Sequence, residues 1–390
     1  MLSEMIKVNR TRNLQEIMKT VGCKTALRQM AFVLAMLFGV NGIAQVSTPA
    51  QDKPKAAPAT STKSAGVDDD LRDVLDPLAK PKAKPFSEDW TTPSLKGSSM
   101  DPVDPIMGND DSSDPAYTFA IVRVEWRPGD PIDLFIMKPS GVAKPPVILY
   151  LYGYQFSNDR YRDADFRKFV TKNGFAAVGF VSALSPERFH APRGMKEWFV
   201  SNLKEALSTS AHDVQMILNY LAQTGEFDME RVGMFGEGSG GSVAILAAAV
   251  DPRIKTLDLV NPWGDWPDWI AKSTLIPEKE RPAYLKPEFL AGVAELDPVK
   301  WLPELKTQKI RLREVKSVTV TPPEARQKIE AAVPPKTEVV HYDDTKAFLA
   351  AISDGTAFDW IKEKMQTGKS QDYRASGQAQ AKSSTVRGKE

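Results

Sequence analysis

Cysteine and histidine are the scarce residues of this chain, one and three respectively in 390 positions. The single cysteine, Cys23, precedes the one strongly apolar run and is therefore neither a lipoprotein cysteine nor part of a mature exported chain. Without disulfides such a chain must draw its stability from a large core. Zinc and iron–sulfur sites built on thiolates are excluded on the same ground. Excess charge is lacking as well. Lys and Arg number 51 against 50 Asp and Glu, a formal net charge of +1 that gives no sign of a nucleic-acid partner.

Long apolar runs are also few. The strongest, residues 30–44 "MAFVLAMLFGVNGIA", is too short to span a bilayer comfortably. It follows Lys19, Lys24 and Arg28, and Gly42 and Ala44 precede a cut before Gln45 at the positions where small residues are needed. Residues 1–44 therefore read as a secretory signal peptide, and the mature protein is expected to be periplasmic or secreted, with no membrane span.

What is present is an ordinary globular composition, 42% hydrophobic and 26% charged, framed by biased ends. Residues 45–115 read as a linker, with stretches such as "DKPKAAPATSTKSAG" that cannot bury enough apolar area to offset their ordering entropy. Asp110, Asp111 and Asp114 lie near its end without the Gly and terminal Glu of an EF-hand, so they read as a solvated loop; no metal or cofactor is indicated. Residues 367–390 form a second biased tail.

Between them, residues 116–366 alternate strands and helices. "YTFAIVRVEW" and "PIDLFIMKPS" flank "RPGD" as a hairpin, and "PPVILYLYGY" is a continuous apolar run of the kind buried on both faces. A helix pattern at 161–174 leads to the strand "FAAVGFVSAL", and "AHDVQMILNYLAQTG" is a helix with Val214, Ile217, Leu218 and Leu221 on one face. Further strand–helix units run to the helix "KAFLAAISDGTAFDWIKEKM". The expectation is an α/β domain with a mostly parallel sheet of about eight strands, helices on both faces and a helical cap at about 265–306.

The most specific stretch is residues 231–244, "RVGMFGEGSGGSVA". It resembles the strand–turn–helix of the α/β-hydrolase superfamily, especially its dienelactone-hydrolase and prolyl-oligopeptidase-like branches, where Gly-x-Ser-x-Gly-Gly-x-x-Ala presents a nucleophile on a sharp elbow. The register that keeps every framework glycine puts Gly238 where the nucleophile stands. A rival register makes Ser239 the nucleophile, puts Glu237 at the first glycine and loses the Gly-x-x-Ala match.

The resemblance also locates the other two catalytic positions. The acid is due in the loop after the seventh strand, yet residues 315–321 hold neither Asp nor Glu and Ser317 or Val318 takes its place. The histidine is due after the eighth strand, where Lys346 stands, while His341 falls earlier, inside the strand. His212 lies within the helix before the elbow strand, facing solvent or packing. His190 lies in a loop at the substrate end of the sheet. Tyr154 follows Tyr152-Gly153, so its backbone N–H and that of Ser239 stand where the family binds an oxyanion.

Trp263, Trp266 and Trp269 follow a strand end, where open α/β sheets hold ligands, and are candidates either to line a cleft or to pack the cap. Asp265 and Asp268 are the acids nearest to them in sequence. Three readings follow. One is an exported hydrolase-fold protein without its triad that binds a small molecule, peptide or partner in the old cleft. The second is an active esterase or peptidase-like hydrolase using Ser239 with His190 or Lys346 as base. The third is a cell-envelope interaction protein.

Overall fold

The computed structural model of the protein describes residues 100–103, 114–154, 159–185, 188, 199–306, 308–353 and 356–366. The signal segment, the linker up to residue 99, His190 and the 367–390 tail lie outside the described residues. Nine strands, rather than about eight, form one sheet in the order β1-β2-β3-β5-β4-β6-β7-β8-β9. They are β1 (Asp101–Pro102), β2 (Tyr117–Glu125), β3 (Ile132–Pro139), β4 (Pro146–Leu151), β5 (Ala176–Gly179), β6 (Asp228–Glu237), β7 (Ile254–Val260), β8 (Lys309–Val315) and β9 (Glu338–Tyr342). The extra strand is β1. It pairs antiparallel with β2 inside the range read as linker, and Met100 beside it is buried in the core.

β2 and β3 form the hairpin that the sequence indicates, and β4 to β9 run parallel to one another. All six residues of β4 are buried, as its unbroken apolar run requires. The helix expected at 161–174 is broken in two. Asp163 accepts a hydrogen bond from the Phe166 N–H at 2.8 Å and caps a new start, so a short α1 (Asp159–Arg162) is followed by α2 (Ala164–Thr171).

On one face of the sheet lie α3 (Leu203–Thr224) and α4 (Ser239–Val250), which pack on each other. The cap joins them, built from α5 (Trp266–Lys272), α6 (Arg281–Tyr284), α7 (Pro287–Val293) and α8 (Pro298–Trp301), with α9 (Pro323–Ala332) against it. The opposite face is covered by α2, α10 (Thr345–Ile352) and α11 (Asp359–Met365). Helix α3 is buried on more than its apolar stripe. His212 is buried there with its ring edge-on to Trp126 at 5.9 Å, not facing solvent. Asp213 beside it accepts from Trp126 Nε1 at 2.8 Å and pairs with buried Arg188, whose guanidinium also holds Asp130.

Candidate functional site

The elbow forms where β6 turns into α4. Gly238 stands alone at its apex with φ 54° and ψ −122°, a conformation that L side chains adopt only under strain. Its neighbours are fixed by contact. A Cβ on Gly236 would lie 2.6 Å from the Gly240 carbonyl oxygen, and one on Gly240 would lie 2.1 Å from that of Leu151. The glycine framework is thus a steric requirement of bringing β4, β6 and α4 together.

That geometry decides the register. The strained apex belongs to Gly238, and Ser239 is the first residue of the helix, fully buried. Its Oγ accepts a hydrogen bond from the Tyr154 N–H at 2.7 Å, so one of the two amides expected to face an oxyanion is already taken by a side chain of the protein. The sheet order, the antiparallel β3 and the glycine-framed elbow after β6 together decide the fold. The chain has the α/β-hydrolase fold.

The same sequence matches no protein-family model and no curated protein. Among solved structures, acetyl xylan esterase 1 from Thermoanaerobacterium sp. JW/SL YS485 is similar at 17% identity and TM-score 0.44 over 62% of this chain and 82% of that one. An acetyl xylan esterase from Paenibacillus sp. R4 is similar at 18% identity and TM-score 0.45, over 63% and 88%. Acylaminoacyl peptidase from Pyrococcus horikoshii is similar at 17% identity and TM-score 0.48, over 65% of this chain and 43% of the enzyme.

The two loops that hold Ser317 and Lys346 meet in space. Ser317 is exposed; its Oγ accepts from the Thr345 N–H at 3.2 Å and lies 3.4 Å from Thr345 Oγ1. Lys346 is the next residue, exposed on the first turn of α10. The loops after β8 and β9 therefore touch through a serine and a threonine. Ser239 is sealed in the core, whereas Lys346 faces solvent. His341 sits in β9 and pairs with Glu330 and Glu314.

Of the two roles open to the tryptophans, the structure shows packing. Trp263, Trp266 and Trp269 are all buried. Trp263 stacks on Trp269 at 4.6 Å, Trp266 meets Trp269 edge-on at 5.7 Å, and Trp266 Nε1 donates to the Leu296 carbonyl. Trp263 also crowds the apex. A Cβ built on Gly238 would stand 3.2 Å from Trp263 Nε1. Asp265, which is buried, and Asp268 both pair with Lys328 of α9 at 2.8 Å.

Glu237, one residue before the apex, points to the other face of the sheet and is buried, and its Oε2 has no hydrogen-bond partner among the described residues. Burial pushes its carboxyl up to about 7, against the opposing pull of Arg160 and Arg313. Arg160 lies over the Tyr152 ring at 3.8 Å, and Arg313 is paired with fully buried Asp258 at 2.8 Å.

Replacing Ser239 with alanine removes the acceptor of the Tyr154 N–H. Tyr154 is only half-buried, so water can partly replace the lost bond. A stability loss of about 1 kcal/mol is expected in urea denaturation.

Proposed function

We propose that this chain performs no Ser-His-acid hydrolysis and acts as an exported binding or scaffolding protein on the hydrolase frame. The observation that carries the reading is the apex itself: glycine holds the nucleophile's strained conformation, and the adjacent serine spends its hydroxyl on the Tyr154 amide. A serine hydrolase needs a base within hydrogen-bond reach of its hydroxyl and a group that orients the base. Among the described residues the partner of Ser239 Oγ is that amide. Export rests on the 30–44 apolar run and its flanking residues, and binding rests on retention of the elbow and the cap.

Purified protein is expected to remain unlabelled by a fluorophosphonate probe and to turn over neither acetyl esters nor aminoacyl amides. Gly238→Ser is expected to stay inactive as well, since a new hydroxyl meets Trp263 and finds neither base nor acid in the loops at Ser317 and Lys346. Labelling of the wild type that disappears in Ser239→Ala would falsify the reading and establish the active-hydrolase rival. If both proteins stay silent, thermal-shift screening against saccharides, acyl-peptides and envelope fragments tests the binding half.

A further inference from the structure

At the outer edge of the sheet, register and helix placement bring together three residues that the sequence keeps far apart. Glu314 of β8 and His341 of β9 are direct cross-strand partners, and Glu330 reaches them from α9. One donor atom from each lies within 4.8 Å of the others. His341 Nε2 is 3.0 Å from Glu330 Oε2 and 3.5 Å from Glu314 Oε2. These separations straddle the edge of about 3.3 Å between donor atoms in a tetrahedral site with bonds of about 2.0 Å.

The second observation is Glu314 itself. Its side chain is 3% exposed, and it faces His341 Nε2 across a long 3.5 Å contact. A buried carboxylate held only at that distance is costly unless a cation answers it. The cation that acts on it is Arg326, one turn before Glu330 on α9, whose Nη2 is committed to the carbonyls of Val318 and Thr321. His341 and Glu330 stand at the solvent rim, 39% and 40% exposed, which leaves an approach for an ion from outside.

We propose that Glu314, Glu330 and His341 form a divalent-cation site of the zinc class, with one imidazole nitrogen, two carboxylate oxygens and a fourth position open to solvent. Imidazole with carboxylates suits a borderline cation better than calcium or magnesium, which take oxygen ligands alone. A bound ion would clamp the edge strand β9 to β8 and α9, one residue before the loop where the fold's acid is vacated. Sequence reading indicated no metal because no short motif joins the three residues; only the β8–β9 register does.

The test uses the full chain purified without a histidine tag and stripped with a chelator, then titrated with Co2+ while visible absorption is followed. Saturation at one ion per chain, displacement by Zn2+ and a rise in the unfolding midpoint with Zn2+ are expected. Glu314→Gln and His341→Ala should each weaken binding at least about tenfold, and His190→Ala should leave it intact. Glu330→Gln changes a half-exposed side chain, so it separates loss of ligand from loss of fold; it should weaken Co2+ while melting normally in chelator. Absence of a cobalt spectrum, or a spectrum that survives all three ligand variants, would mean that His341 and Glu330 form only an ion pair and would overturn the proposal.

Discussion

Trp269→Ala is expected to lower the unfolding free energy by about 3–5 kcal/mol, the usual range for deleting a fully buried indole. Trp269 has no exposed surface, stacks on Trp263 and takes Trp266 edge-on, so it is the shared contact of the cap's aromatic cluster. Asp297 adds the polar half of the attachment, accepting from the N–H groups of Asp265 and Trp266 at 2.8 and 3.0 Å. Losing Trp269 also removes what holds Trp263 over the elbow. That gives the prediction a second arm through Gly238. Gly238→Ser carries a backbone cost of about 1–3 kcal/mol from its positive φ, plus the contact with Trp263. In the Trp269→Ala background the contact part should relax, so the double variant should lose less than the sum of the singles. Urea denaturation of the four proteins measures this. Strict additivity would show that Trp263 does not constrain the apex.

What the sequence revealed and what it hid divide along physical lines. The elbow was legible because its constraints are local and steric: Gly236 and Gly240 are dictated by contacts that leave no room for a Cβ, and they fix the register around Gly238. β4 was legible for a similar reason, since burial on both faces demands an unbroken apolar run. The role of the tryptophans was not legible, because lining a cleft and packing a cap call for the same large apolar side chains. The difference lies in the cap's position, which long-range packing sets. Which of its two roles His212 takes was not legible, because a helical stripe predicts one buried face, whereas Trp126 of the hairpin covers α3 at His212 as well. The Glu314–His341 pair depends on strand register across β8 and β9, and no spacing within the sequence records that.

The environment of Glu237 was hidden for the same reason, and it yields the second large prediction. Glu237, Val260 and Arg313 are register partners on adjacent parallel strands, so their side chains emerge on one face, and Phe235, Asp258 and Arg311 lie one step below. Arg160 and Tyr152 close the chamber from the side of β4. Both oxygens of Asp258 are engaged by Arg311, and Arg313 shares one of them, so much of the local positive charge is already answered before Glu237 is counted. Desolvation therefore outweighs the pull of the arginines, and the carboxyl is raised from 4.5 to about 7.

Between those two values the unfolded chain has released its proton while the folded chain still holds it. Stability must therefore fall as pH rises through that window, with the full cost present above about 7 and absent below 4.5. At about 1.4 kcal/mol per pKa unit the cost reaches about 3 kcal/mol at most. Glu237→Gln keeps the shape and removes the charge. Relative to the wild type it should be nearly neutral at pH 4.5 and stabilising by up to about 3 kcal/mol at pH 8, when both are unfolded with urea across that range. Every other titrating group is common to the two proteins, so the difference curve isolates this carboxyl. Parallel curves would mean that Glu237 is ionised in the folded state at neutral pH and that Arg160 and Arg313, rather than burial, govern the residue next to the elbow.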